Sequence, residues 1–195
     1  QIVDDGIFYN NSSMTEAEIQ DFLNSKVSSC DTWGTQSAAD MGYPNITHAQ
    51  YAANVGWPGP PYVCLKNYYQ VPDSNQVISN YSGSIPPGAI SAARIIKIAA
   101  DTYGISPKTL LVTLQKESLN LIHDSWPLLS QYKNSMGYGC PDTAPCDPQY
   151  EGFYNQMLNS ARQFNLYRTY PSSYRYKPYQ NNSIYYSPNY SCGAS

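Results

Sequence analysis

Charged side chains are scarce in this chain of 195 residues. Eleven lysines and arginines stand against fourteen aspartates and glutamates, which gives a net charge of −3. There is no basic run, so the charge pattern gives no indication of nucleic-acid binding. Long hydrophobic runs are also missing, because no segment approaches the roughly 18 apolar residues of a membrane span. We therefore expect a protein that neither binds nucleic acid nor crosses a membrane.

The familiar catalytic and cofactor motifs are missing as well. The chain contains no G-x-S-x-G turn, phosphate loop or dinucleotide fingerprint. Its two histidines, His48 and His123, are too few and too far apart in sequence to suggest a metal site. We expect no metal and no cofactor, although a Ser–His–Asp triad stays open in a chain so rich in serine. No signal peptide is visible, and the start at Gln1 suggests a removed signal or a trimmed chain.

The five cysteines match no zinc-binding spacing. Cys140 and Cys146 enclose the proline-rich turn CPDTAPC, which favours a small disulfide loop. Cys30 and Cys64 would then pair across the N-terminal region. Cys192 is left over near the end, and its partner would lie beyond a cut. An oxidised set indicates an extracytoplasmic protein, and reduced cytosolic thiols are the alternative.

Twenty tyrosines are the strongest departure from an ordinary composition. A tyrosine side chain has an apolar face and a polar tip, so a surface rich in it suits flat polar ligands such as sugars. A surface that merely stays soluble with few charges would have the same composition. The tyrosine-rich tail alternates weakly around Asn181 and Asn182, which predicts a small hairpin or an irregular segment.

Helix signals dominate most of the chain. Capping boxes at Thr15 with Glu18 and at Thr47 with Gln50 predict two short N-terminal helices. The run AISAARIIKIAADTYG predicts a third helix, and Asp147 is the predicted cap of a late helix.

The composition shifts between the polar N-terminal part and the helix-rich remainder. Residues 65–84 are polar and irregular, and they close with the breaker SGSIPPG. We predict a mainly α protein with an N-terminal helical extension over 1–84, stapled by a disulfide. A helical core with the tyrosine-rich tail is predicted over 85–195.

The run SPKTLLVTLQKESLNL, which begins at Ser106, carries the main candidate for chemistry. Ser106 is a good N-cap, and Pro107 suits the first helical position. The apolar stripe consists of Leu110, Leu111, Leu114 and Leu121. Glu117 falls on this stripe, where partial burial would raise its pKa and keep it protonated, as a general acid requires. The alternative is a structural glutamate, neutralised by Arg94 or Arg162.

Two further motifs follow this helix along the chain. A glycine-rich stretch spans Met136 to Gly139, and a later helix bears Asn155 and Gln156. This order resembles the lysozyme-like superfamily, and most of all the soluble lytic transglycosylases and goose-type lysozymes. More narrowly, the runs LLVTLQKES, MGYGCPDTAPCD, GFYNQ and ARQF resemble a group of secreted, lysozyme-like proteins of Gram-positive-type bacteria. The resemblance covers about residues 86–168.

The resemblance implies a role for each matching position. Glu117 matches the catalytic acid, and Ser118 matches the residue that helps to orient it. The glycine-rich stretch matches the cleft turn loosely, because the family's Gly-Leu-Met-Gln is absent. Asn155 matches a later asparagine, whereas Gln156 stands where isoleucine is usual. The candidate substrate-binding residues are Ser118, Tyr132, Met136, Gly137, Tyr138, Tyr154, Asn155 and Gln156. For the three tyrosines among them, packing in the core is an equally good explanation.

The implied reaction is cleavage of the β-1,4 bond between N-acetylmuramic acid and N-acetylglucosamine in peptidoglycan. Glu117 would protonate the leaving oxygen, and in a transglycosylase it would then act as base while the muramic 6-hydroxyl closes a 1,6-anhydro ring. A hydrolase would need a second carboxylate, for which the candidates are Asp124, Asp142, Asp147 and Glu151. We expect a secreted monomer that acts on glycan strands in the cell wall. A secreted glycan-binding or adhesion module without turnover is the alternative.

Overall fold

The structure, a computed structural model, describes residues 3–72, 77–79, 85–178, 180–187 and 189–195. Its α-helices are α1 (Asp5–Phe8), α2 (Glu16–Lys26), α3 (His48–Val55), α4 (Ala92–Tyr103), α5 (Pro107–Glu117), α6 (Leu129–Lys133) and α7 (Phe153–Thr169). Its strands are β1 (Ser37–Ala38), β2 (Tyr43–Thr47), β3 (Tyr68–Gln70), β4 (Val77–Ser79) and β5 (Ile90–Ser91). The prediction of a mainly α protein is confirmed.

Helix α4 lies at the centre of the hydrophobic core. Its four alanines and two of its three isoleucines, Ile95 and Ile96, are buried, and it packs against α2, α5 and α7. Small alanines let these neighbouring helices approach closely, while the isoleucines fill the remaining space. The core combines side chains from both predicted parts of the chain: Ile19 and Leu23 come from α2, and Phe153 and Met157 come from α7.

The helix starts that the sequence predicts from neighbouring residues are confirmed. Both predicted capping boxes form, at Thr15 with Glu18 and at Thr47 with Gln50. Pro107 occupies the first turn of α5, as predicted. The Ser106 side chain makes no cap hydrogen bond, because its hydroxyl lies 2.8 Å from the Ser13 hydroxyl instead.

The end of α5 differs from the prediction. The four stripe leucines are buried, but the helix stops at Glu117 and the side chain of Glu117 is 37% exposed. Leu119 and Asn120 then take positive φ angles of 53° and 73°, so the helical path is broken before Leu121, which is buried. The spacing of four residues between Glu117 and Leu121 is therefore not helical, and the expected burial of Glu117 was wrong.

Strand pairing also corrects the prediction for residues 65–84. β3 pairs with β4 and β5 in an antiparallel sheet of order β4-β3-β5, and β1 pairs with β2. Asp147 caps a short 3-10 helix, Pro148–Tyr150, rather than α7. The small hairpin predicted around Asn181 and Asn182 is not seen in the described part of the tail. The antiparallel pairing lies further along, where a bridge joins Tyr185 to Ala194.

Both predicted disulfides are present, Cys30–Cys64 and Cys140–Cys146, and Cys192 is an exposed free thiol. Such bridges persist in oxidising compartments, so they are consistent with a secreted protein. In the part of the chain that the structure describes, no helix is both long enough and apolar enough to cross a membrane.

The two disulfides should contribute unequally to stability. They join cysteines 34 and 6 residues apart, and a longer loop loses more entropy from the unfolded chain when it is closed. Replacing Cys30 and Cys64 by alanine should lower the free energy of unfolding by about 4 kcal/mol, against about 2 kcal/mol for Cys140 and Cys146. Urea denaturation measures both, with Cys192→Ala as an unaffected control. A larger loss for the short loop would contradict this ranking.

Candidate functional site

Glu117 sits at the point where α5 ends and the chain turns. Its Oε1 lies 3.1 Å from Lys116 Nζ, and the lysine side chain is 82% exposed. An exposed ion pair of this kind contributes roughly 0–1 kcal/mol, so Lys116 can leave the carboxylate at little cost. Neither Arg94 nor Arg162 pairs with Glu117 among the described contacts, and Arg94 instead binds Glu16 at 3.1 Å.

The predicted cleft turn lies directly beside this carboxylate. A Cβ atom placed on Gly137 would lie 3.6 Å from Glu117 Oε2. Gly137 and Gly139 have φ angles of 68° and 71°, in the left-handed region that favours glycine. A Cβ on Gly139 would also come within 2.6 Å of the Tyr150 ring. Both glycines are therefore required for the turn to pass between Glu117 and Tyr150.

Gln156 holds this turn in place from helix α7. Its side chain is fully buried, and its Oε1 accepts hydrogen bonds from the backbone N–H groups of Met136 (3.2 Å) and Tyr138 (3.0 Å). Its Nε2 donates to the carbonyls of Tyr138 and Tyr150, each at 2.8 Å. These four bonds use the whole capacity of the amide. Gln156, predicted as a substrate contact, is a positioning residue for the turn.

The start of α7 is fixed by groups from other elements. Gly152, its N-cap, provides no side-chain cap. The buried side chain of Gln70 in β3 fills this role, because its Oε1 accepts from the Tyr154 N–H at 3.0 Å. The Gly152 N–H donates to the carbonyl of Lys133 at the end of α6, at 2.8 Å. The position of Gln156 therefore depends on the N-terminal sheet as well as on α6.

Two predicted site residues belong to the core. Tyr132 is 1% exposed, stacks on Tyr68 with ring centres 4.4 Å apart, and donates its hydroxyl to the carbonyl of Val63. Burial raises the pKa of Tyr132 well above its ordinary value. Ser118 is 4% exposed and donates its hydroxyl to the Leu114 carbonyl. Tyr132 is therefore not accessible to a ligand. The Ser118 hydroxyl donates its hydrogen bond to the helix backbone rather than to Glu117.

The other predicted residues line or support the turn. Met136, the first residue of the turn, is buried, while Tyr138 is half-buried and packs edge-on against Tyr150 with ring centres 4.8 Å apart. Tyr154 is half-buried against the core. The Asn155 side chain donates to the Glu151 carbonyl at 3.0 Å, which keeps the asparagine on the first turn of α7. Tyr138, Tyr154 and Asn155 each keep some accessible surface.

A second polar cluster, which sequence reasoning missed, lies in the N-terminal part. His48 Nδ1 is 2.7 Å from Asp31 Oδ2, and His48 Nε2 is 2.8 Å from Asp40 Oδ1. Asp31 and His48 are each 3% exposed, and the His48 ring stacks on Trp126 at 4.3 Å. His48 lies 17 positions after Asp31 and 8 positions after Asp40, and the three residues belong to no single helix or strand, so no periodic pattern predicts the cluster.

The geometry of this cluster suits neither a catalytic triad nor a metal site. Both ring nitrogens of His48 face carboxylates, which leaves neither nitrogen for a serine hydroxyl. Among the residues that the structure describes, no group of three or more histidine, cysteine, aspartate or glutamate side chains is placed to hold a metal ion.

No family model, curated protein or solved structure matches this chain. The lysozyme-like relationship therefore stays a prediction that rests on the residues quoted above.

The turn should depend strongly on Gln156. Gln156→Ala should lower the free energy of unfolding by at least about 2 kcal/mol, because it leaves buried backbone groups of the turn unpaired. Gln163→Ala is a matched control on the same helix, since the half-buried Gln163 side chain makes one hydrogen bond among the described contacts, donated to the Tyr174 hydroxyl at 3.1 Å. Urea denaturation compares the two variants, and NMR follows the Gly137 amide signal. Equal stability losses with an unmoved Gly137 signal would refute the positioning role.

Proposed function

We propose that this protein cleaves the β-1,4 bond between N-acetylmuramic acid and N-acetylglucosamine in peptidoglycan, with Glu117 as the general acid. One observation carries the proposal: an accessible carboxylate at the end of a core helix lies against a glycine turn that a buried amide holds in place. A glycine surface beside an acid leaves room for a sugar ring close to both. The two disulfides suit the oxidising conditions of the cell wall.

The proposed chemistry needs one carboxylic acid. Glu117 would donate a proton to the glycosidic oxygen as positive charge develops on the sugar ring. A bound strand would cover the exposed side chain, and covering a carboxyl group favours its protonated form. The carboxylate formed by this transfer would then accept the proton of the muramic 6-hydroxyl, which attacks the anomeric carbon and closes a 1,6-anhydro ring.

The candidates for a second carboxylate are largely engaged elsewhere. Asp147 accepts from the Gln149 N–H at 3.0 Å, and Glu151 pairs with Lys133 at 3.0 Å. Asp124 accepts from the Trp126 N–H at 2.9 Å and from Gln131 at 3.2 Å. Asp142 lies exposed within the Cys140–Cys146 loop. These contacts favour the single-acid route of a lytic transglycosylase over hydrolysis.

A glycan-binding module without turnover is the second candidate function. The observation that favours it is the position of Glu117, which is 37% exposed and salt-bridged rather than buried among apolar groups. The surface formed by Glu117 and the glycine turn would then hold a glycan strand without cleaving it.

Product analysis tests the proposal. Purified peptidoglycan is incubated with the wild-type protein and with Glu117→Gln, and the soluble muropeptides are identified by mass spectrometry. The wild type should release products with 1,6-anhydro ends. Glu117→Gln should reduce their release by at least about a hundredfold, because the amide keeps the shape but cannot donate the proton.

Glu16→Gln is a matched control for this experiment. Glu16 is 44% exposed and pairs with Arg94 at 3.1 Å, which closely parallels the exposure and ion pair of Glu117. This variant should keep full activity. Undiminished activity in Glu117→Gln would refute the acid assignment, and products with reducing ends would show a hydrolase. No release by the wild type, with retention on peptidoglycan, would support the binding module.

A further inference from the structure

A cavity of about 700 Å³ lies between the N-terminal loops and the segment that follows α5. Its walls combine apolar surfaces, including Trp57, Trp126 and Leu128, with the carboxyl groups of Asp40 and Asp124. Among the described residues that line it, none is a lysine or an arginine. A cavity of this kind disfavours anionic ligands, since no permanent positive charge faces them.

The ionisable side chains at this side of the cavity are mainly acidic. Asp31 and Asp40 lie on opposite sides of the His48 ring, so the cluster keeps a net negative charge even when His48 is protonated. Asp124 adds a further carboxyl group, and His123 is the remaining titratable side chain that lines the cavity.

Asp40 is fixed in position and open to the cavity. Its Oδ1 faces His48, and its Oδ2 accepts from the indole N–H of Trp126 at 3.2 Å. Its side chain is nevertheless 54% exposed, and each oxygen keeps a lone pair for a further donor. Desolvation acts to raise the pKa of Asp40, but the hydrogen bonds from His48 and Trp126 outweigh it and the pKa is lowered. Asp40 is therefore an ionised acceptor near neutral pH.

The pKa of Asp124 is shifted in the opposite direction to that of Asp40. Burial raises the pKa of Asp124, and the negative charge of Asp40 adds to the increase, while hydrogen bonds from Trp126 and Gln131 offset it in part. A positive charge placed in the cavity would favour the ionised forms of both carboxyl groups. Indole faces also attract organic cations, and Trp57 is 40% exposed at this site.

We propose that this cavity binds a primary ammonium group carried on a short apolar chain, such as a lysine side chain. The ammonium group donates hydrogen bonds to Asp40, and the methylene chain lies against Trp57 and Leu128. A bare metal ion would leave most of this volume unfilled and would gain nothing from the apolar walls. The inference is independent of the role proposed for Glu117.

The three tryptophans of the chain provide the readout. Trp57 and Trp126 line the cavity and Trp33 does not, so Trp33 is an internal reference. The protein is labelled with ¹⁵N at the indole nitrogens and titrated with n-butylammonium chloride at constant ionic strength. The neutral analogue 1-butanol is titrated in parallel. We expect saturable shifts of the Trp57 and Trp126 signals with n-butylammonium alone, and an unmoved Trp33 signal.

Variants then test the contacts. Asp40→Asn should weaken n-butylammonium binding by roughly tenfold or more, because it removes the charge from the main acceptor. Trp57→Leu leaves the Asp31–His48–Asp40 cluster intact and should weaken binding about threefold. Asp21→Asn, an exposed change on α2, should leave the affinity unchanged.

Three results would overturn the proposal. The first is equal shifts with 1-butanol, and the second is the absence of any saturable shift in the wild-type protein. The third is saturable movement of the same two signals by N-acetylglucosamine but not by n-butylammonium, which would assign the cavity to a neutral sugar.

Discussion

The fully buried amide of Gln156 is the constraint on which the proposed site depends. Its four hydrogen bonds fix a turn that contains no regular structure of its own. The turn in turn sets the surface that Glu117 faces, at Gly137. Leaving a buried amide unpaired is unfavourable, so the turn and α7 keep one relative position. These hydrogen bonds therefore hold the glycine-rich turn in one position beside the accessible carboxylate of Glu117.

This constraint reaches into the N-terminal part of the chain. Gln70 of β3 caps α7, and β3 is itself held by β5, which leads directly into the central helix α4. The N-terminal helix α2 buries Ile19 and Leu23 in the same core. The N-terminal part therefore supports the geometry around Glu117, and it also provides one side of the acidic cavity around Asp40.

Local signals in the sequence predicted local structure well. Both capping boxes, the Pro107 start of α5 and the two disulfides were confirmed, because each depends on residues close in sequence or on chemistry specific to cysteine. The end of α5 was mispredicted, since the chain leaves the helix through a positive φ angle at Leu119, a residue type that rarely adopts one.

Contacts between distant segments set the rest of the site. The pairing of β3 with β5, the role of Gln156 and the pairing of His48 with Asp31 and Asp40 join residues whose spacing follows no helical or strand period.

The most direct test of the central claim is a crystal structure of Glu117→Gln with a peptidoglycan tetrasaccharide bound. The account predicts a glycosidic oxygen within about 3 Å of the substituted side chain, with the sugar against Gly137 and Tyr138. A saccharide bound away from this turn would contradict it.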